Sequence, residues 1–347
     1  MSTPTLAAPR PGAAPSPRGV VAAVLTSPSV RLVGRRLLVA IPVLFGVTLL
    51  TFVVMNLLPG DAAQALLGAN ATPQQVHELE IKLHLDQPPW VRYGQWLGGV
   101  VTGNLGASLA SKQEVTAVLV QRLPVTFELV LYGLLISVVF AVPLAVLAAW
   151  RPGGVVDRLI MVLNMVGLSV APYVLSLVLM YVFAVKLGVL PAIGYVSPTE
   201  SIAGNVRSLT LPALSLALPL LCFYARLLRA DLLEQMQSQD YVVTARAKGL
   251  PLWRVLIGHA LRNSLFGFLT VVGLNLGTLI GATVVVEQIF SLPGMGQQLL
   301  EAINNRDIPV VEGTVLVFAC IVVLVNLLTD LMYAVLDPRI RYGNSAA

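Results

Sequence analysis

Charge is scarce in this chain. Only 11% of its 347 residues are Asp, Glu, Lys or Arg, 56% are apolar, and the mean hydropathy is strongly positive. A water-soluble domain cannot cover its surface with so few charges, so the composition belongs to a membrane protein. Cysteine is almost missing: Cys222 and Cys320 are the only two. Both fall inside apolar runs, which excludes a disulfide framework and a cysteine zinc site. The three histidines, His77, His84 and His259, all lie outside the apolar runs. Hydrolysis within a membrane needs a nucleophile with a base, or a metal held by His and acids. His259 with Asn263 has a spacing found in membrane proteases, but the paired glutamates of such sites are missing, so no catalytic residue and no metal site is assigned. None of the four lysines, Lys82, Lys112, Lys186 and Lys248, follows a glycine. The phosphate-binding loop Gly, four residues, Gly-Lys and Ser or Thr is therefore absent, and the chain cannot bind ATP through it.

What the chain has is long stretches without charge. Leu37 to Leu58, Leu129 to Trp150, Leu159 to Val185, Ser208 to Ala225, Asn263 to Val286 and Gly313 to Thr329 are six strongly apolar runs of seventeen or more residues without charge. A helix rising about 1.5 Å per residue needs roughly 20 residues to cross the hydrocarbon core. All six qualify as spans once flanking residues snorkel. The fourth, which holds Pro212 and Pro219, relies on neighbouring helices to satisfy freed backbone groups. The sixth is short and stops at Asp330. The expected fold is an all-α integral membrane protein.

Basic residues set the orientation. Arg10, Arg18, Arg31, Arg35 and Arg36 precede the first run, Arg151 and Arg158 separate the second from the third, and Arg226, Arg229, Arg246, Lys248, Arg254 and Arg262 lie between the fourth and fifth. With Arg339 and Arg341 these are most of the 22 basic residues, so both termini are expected in the cytoplasm. The net charge of +5 follows from this topology and implies no nucleic-acid partner. Residues 1–30, rich in Pro, Ala and Ser, read as a disordered tail, with the first span at 31–58 and a short C-terminal tail at 343–347.

The charged segment between the fourth and fifth runs is built like a short helix with both ends marked. Asp240 can cap it, Arg246 and Lys248 fall in its last turn, and Gly249 followed by Pro251 ends it. A helix this short is marginal in water and must be held by something. A second helix is expected from Pro251 through Trp253, Val255 and Ile257 into the fifth span. By pattern alone the segment is either a hairpin lying on lipid headgroups or a surface for a protein partner.

Its residues read Asp240-Tyr241-Val242-Val243-Thr244-Ala245-Arg246-Ala247-Lys248-Gly249, then His259-Ala260-Leu261-Arg262-Asn263. This resembles the cytoplasmic coupling region of ABC importer permeases. The general pattern there is Glu-Ala-Ala, three residues, Gly, nine residues, then Ile, any residue, Leu-Pro. Here only Ala245, Gly249 and Leu261 keep it. The departures look like those of the dipeptide, oligopeptide and nickel permease branch. Other landmarks similar to that branch are Leu57-Leu58-Pro59-Gly60-Asp61, Gly103-Asn104-Leu105-Gly106, Arg122-Leu123-Pro124-Val125-Thr126, Val286-Glu287 with Phe290 to Gly296, and Leu336-Asp337-Pro338-Arg339-Ile340-Arg341. The likeness runs from about Arg35 to Tyr342, and the Leu-Pro-Gly-Asp signature with a long first outer loop resembles the B-type subunit.

The resemblance implies a type I ABC importer permease fold in a bacterial cytoplasmic membrane: six spans, an extracytoplasmic subdomain at 59–123, and a permease core at 124–342 that includes a coupling segment at 229–263. It implies a homologous C-type permease, two ATP-binding subunits that carry ATP and Mg, an extracytoplasmic solute-binding protein, and a peptide substrate. The ATPase-coupling residues would be Asp240, Tyr241, Thr244, Ala245, Arg246, Ala247, Lys248, Gly249, His259, Arg262 and Asn263. Import of nickel or another small solute is the alternative within the family. Outside it stands a secondary transporter, which would more often show an inverted repeat with broken helices and buried acids.

Several polar groups sit at or within span ends. Glu128 and Glu287 either line an outer vestibule, attracting an amino group or a cation, or cap helices and snorkel. Asn275 is a further candidate for the pathway, although Asn164, Asn275 and Asn326 can equally bond across helices. The segment from Pro59 to Leu123 is too long for a bare loop. Thr72-Pro73-Gln74-Gln75 starts a helix there with a capping box. On it His77 and His84 would lie about 10 Å apart, too far to share one ion. Trp90, Tyr93 and Trp96 are expected to pack as a small cap or rest at the interface. Gly277 and Gly281 form a spacing that permits close helix approach, either within the chain or to a second permease.

Overall fold

The computed structural model describes residues 28–57, 62–67, 71–82 and 85–336, and these are helical throughout apart from turns and one isolated antiparallel bridge, Ala107 to Glu114. Residues 1–27 and 337–347, the Pro59-Gly60-Asp61 landmark and His84 lie outside the described residues. The long helices are α1 (Pro28–Leu57), α5 (Val115–Trp150), α8 (Ile202–Ser238), α11 (Leu261–Phe290) and α13 (Ile308–Leu336). Between α1 and α5 come α2 (Ala62–Leu67), α3 (Pro73–Lys82) and α4 (Pro89–Val101). The remaining elements are α6 (Val155–Ser169), α7 (Pro172–Leu179) with a π-helical continuation Met180–Lys186, α9 (Asp240–Ala247), α10 (Leu252–Val255) with a π turn Leu256–Ala260, and α12 (Met295–Asn304).

Among the described residues five helices are long and apolar enough to cross a membrane, and a sixth crossing is made if α6 and α7 count as one. The third run is thus two helical limbs bent by 101° at Val170 and Ala171. Pro172 is the physical cause. It has no N–H to extend the preceding helix, and it forces Ala171 into an extended conformation with ψ near 143°.

The fourth run shows the opposite outcome. Pro212 and Pro219 both lie inside α8, and the helix continues through them for 37 residues. Pro42 in α1 and Pro124 and Pro143 in α5 are likewise carried without a break, and α8 differs in its enclosure: 61% of its most apolar window is buried by the rest of the chain, against 17 to 33% for the other spans. A helix enclosed by protein needs little lipid-facing apolar surface, and its neighbours shield the backbone that proline disturbs. Around α8 gather two of the three apolar cores. One joins Tyr224, Ala225, Leu228 and Leu232 to Val255, Leu256 and Phe268, and another joins Leu209, Leu211 and Leu216 to Leu129, Leu279 and Phe290. The third links Met55, Val115, Leu119, Met295 and Val311.

The first span is fastened at both ends. Its buried stripe of Ala40, Thr48, Phe52 and Met55 recurs at helical spacing. Tyr93 of α4 is buried against it: the phenol oxygen lies 2.9 Å from Thr48 Oγ1, and the ring packs on Phe45 and Phe52 and stacks with Trp96. Arg92 adds bonds to Asn56 and the Leu85 carbonyl. Trp90 stays exposed. At the basic end Arg36 pairs with Asp330 at 2.8 Å, which accounts for the acid that closes the sixth run. The capping box of α3 forms, with Thr72 N donating to Gln75 Oε1 and Gln75 N to Thr72 Oγ1. Gly277 packs on Val322 of α13 within this chain, while Gly281 faces open space.

Candidate functional site

At the basic end of the bundle α8 passes into α9 through one residue. Gln239 is extended, and its carbonyl accepts from Val242 and Val243 N–H, starting a new helix at an angle to the old one. Asp240 is the first helical residue rather than the cap, because Gln239 already occupies the boundary. Thr244 Oγ1 donates to the Asp240 carbonyl, and Gly249 ends the segment with φ of 76°, in the left-handed region glycine adopts at low cost. Pro251 then caps α10, and the chain runs from Leu252 to Phe290 as one span, as the sequence pattern predicts.

Two faces of α9 have different fates. Val242 and Ala245 are buried in the core that holds Leu232, Met236, Val255, Leu256 and Ala260. Tyr241 is half-buried: its hydroxyl donates to Gln235 Oε1 at 2.6 Å, and its ring meets His259 edge-on at 6.5 Å. That contact joins the two halves of the sequence signature. On the other face Asp240, Val243, Thr244 and Ala247, spaced i, i+3, i+4 and i+7, are all exposed. Lys248, His259, Arg262 and Asn263 are exposed on the adjoining turns, and Arg246 is helical. The sequence reading named Val243, Trp253 and Ile257 without giving them a coupling role, and they are apolar side chains left open at this surface. Their signal was an apolar residue at the wrong helical phase for the core.

The opposite end is built differently. Glu128 Oε2 accepts from Tyr195 Oη at 2.9 Å and from Asn205 Nδ2 at 3.0 Å, and Tyr132 Oη donates to Asn205 Oδ1. This cluster joins α5, α8 and the loop that precedes α8. Burial and the Glu128 carboxylate together push the Tyr195 phenol up to about 12, which keeps it a donor. Glu128 retains partial exposure, as does Asn275, whose Nδ2 donates to the Val271 carbonyl of its own helix.

Glu287 is fully enclosed within this chain. Its carboxylate accepts from Thr126 Oγ1 at 2.7 Å, Gly296 N at 2.7 Å and Gln297 N at 3.1 Å, so it caps the N-terminus of α12. Thr126 in turn accepts from Met295 N. A Cβ at Gly294 would collide with the Glu287 carboxylate, and one at Gly296 would come within 2.5 Å of Val284 Cα, so both glycines are required by close approach. The Arg122-to-Thr126 and Glu287-to-Gly296 landmarks are therefore one structural joint. Asp307 makes a similar clasp, accepting from Ser108 Oγ, Leu109 N and Ala110 N.

No group of three or more His, Cys, Asp or Glu that could hold a metal occurs among the described residues. The long apolar helices define a multi-span membrane protein. The chain belongs to the binding-protein-dependent transport system inner membrane component family, whose model matches residues 141–342, with the family's N-terminal model matching 29–130. It is 42% identical over 311 residues to a Brucella abortus protein assigned provisionally to peptide transport as a system permease, covering 90% of this chain and 99% of the relative. It is 38% identical to the dipeptide transport system permease protein of Alkalihalophilus pseudofirmus and to the di/tripeptide transport system permease protein of Pseudomonas aeruginosa, in each case over 89% of this chain and 98% of the relative. The chain is a permease subunit and not itself an enzyme.

Proposed function

We propose that this chain is one of two permeases of an importer for di- or oligopeptides, and that α9 is where ATPase motion enters it. The observation that carries the reading is the division of α9: one face is buried in the core, and Asp240, Val243, Thr244 and Ala247 stand open beside it. A short helix held by its own protein on one side and presenting a mixed surface on the other is suited to a groove on a partner. The names of the relatives support peptides as the substrate class.

In this reading the basic end is cytoplasmic, both termini lie on that side, and the membrane is the bacterial cytoplasmic membrane. Two ATP-binding subunits carry ATP and Mg and dock on the exposed face of α9 and on His259, Arg262 and Asn263. Tyr241, Ala245 and Gly249 hold the segment in place. A second permease completes the pathway, and a solute-binding protein delivers peptide to the opposite end. Glu128 and Asn275 face the pathway, while Glu287 positions α12 beside it. Moving a gate from about 1:99 to 99:1 takes roughly 5.5 kcal/mol of differential binding, within reach of nucleotide-driven closure of the partners.

The test is affinity purification of the chain from its native membrane, identification of what stays bound, and ATPase assay with the binding protein and peptides. A second permease and ATPases with peptide-responsive hydrolysis are expected. Recovery of the chain alone, in a detergent that preserves comparable complexes, would overturn the proposal.

A further inference from the structure

Asp157 lies in the first turn of α6 and is almost fully buried. Its Oδ1 accepts from Arg229 Nε at 2.6 Å, and its Oδ2 accepts from Arg229 Nη2 at 2.7 Å and from Gly153 N at 2.8 Å. Gly153 belongs to the turn that follows α5 and has φ of 77°. One carboxylate thus ties three elements: the end of α5, the start of α6 and the third turn from the end of α8. The geometry is bidentate, the arrangement in which a guanidinium fixes orientation as well as distance. Apolar contacts reinforce it further along α6. Ile160 is buried, and Gly167 lies so close to Cys222 of α8 that a Cβ there would strike its sulfur.

Arg229 stands on the helix that continues, after Gln239 alone, into α9. From Arg229 to Asp240 is about 16 Å along the chain at helical rise. A displacement of α9 therefore passes through the single extended residue Gln239 into α8, on whose unbroken length Arg229 stands. We infer that the Asp157–Arg229 bridge is a positioning joint: it makes the α5–α6 corner travel with α8 when α9 moves, so that the bent third span shifts together with the helix driven from the ATPase side. This inference rests on the importer reading above and assigns within it the contact that carries motion from the docking segment to the second and third spans.

The experiment uses the complete importer reconstituted in vesicles, measuring peptide taken up per ATP hydrolysed and the amount of assembled complex. Two variants are compared with the wild type: Asp157→Asn, and the neutral pair Asp157→Leu with Arg229→Met. The pair removes both buried charges at once, a change that usually preserves stability where loss of a single partner does not. The expected result is an assembled neutral-pair complex that hydrolyses ATP while peptide uptake per ATP falls at least fivefold, with Asp157→Asn falling in the same direction. Wild-type uptake per ATP in the neutral pair would overturn the inference. Failure of both variants to assemble would also overturn it, because the bridge would then be a folding contact only. A wild-type preparation that fails to couple ATP to peptide uptake would instead refute the importer reading, independently of the joint.

Discussion

Three carboxylates at the end of the bundle away from the basic residues, Glu128, Glu287 and Asp307, each hold two or three donors from distant parts of the same chain. At the basic end Asp240, Thr244, Lys248, Arg262 and Asn263 are exposed, and the apolar Val243, Trp253 and Ile257 stand open among them. The first end is a frame that satisfies itself. The second is anchored from below by Val242, Ala245 and Tyr241 and presents the rest outward. A protein that must be rigid where helices are joined and receptive where force is applied needs both arrangements. The contrast also explains how these charged residues are accommodated: Glu128, Glu287 and Asp307 are bonded within the fold, and those at the basic end are solvated or available to a partner.

The comparison is broken most severely by Glu287→Ala. It strips the acceptor from the Thr126 hydroxyl and two N–H groups, each costing about 1 to 3 kcal/mol when left buried and unpaired. The expected outcome is a large fall in thermal stability in detergent and little folded protein in the membrane. Gly296→Ala should act in the same direction more weakly, by about 1 to 3 kcal/mol, since the added Cβ presses on the Val284 backbone. At the basic end Ala247→Trp should leave stability within about 0.5 kcal/mol, because the site is exposed, while cutting ATPase-coupled uptake about tenfold, which corresponds to about 1.4 kcal/mol of lost docking. Equal damage to stability and uptake in that variant would erase the distinction between the two ends. A crosslinker placed at Ala247 should capture an ATP-binding subunit in the intact complex.

Arg36→Ala should cost less than about 1 kcal/mol, since Arg36 is 56% exposed in its pair with Asp330. The mildest test is a titration. With its pKa raised, neutral Tyr195 contributes stability that is complete below the ordinary tyrosine pKa near 10 and is lost as pH rises toward about 12. Difference absorbance between wild type and Tyr195→Phe at about pH 10.5 should therefore show no tyrosinate from this residue.

Much of this was readable before any coordinates, but unevenly. Charge-free runs located the five spanning helices and the bent pair α6–α7, because burying charge in hydrocarbon is costly whatever the fold. They did not give helix lengths: the run Ser208 to Ala225 is the middle of a helix that extends from Ile202 to Ser238. Water tolerates a charged helix end, so the end of a run need not end the helix. The two ends of the α9 segment were legible from Asp240, Gly249 and Pro251, although the boundary falls at Gln239. The partition of its faces was not, since an eight-residue helix carries too little periodicity to name the buried side.

Local chemistry in the sequence determined the membrane class, the number of apolar runs, the capping box of α3 and the glycine turn after α9, each of which depends on a few neighbouring residues. Tertiary structure alone decided that Pro212 and Pro219 would leave α8 unbroken, that Glu287 would meet Thr126 and Gly296, and that Asp157 would find Arg229. Those outcomes pair groups from different spans, and a hydrogen bond or a buried ion pair exists only at the distance that helix packing sets.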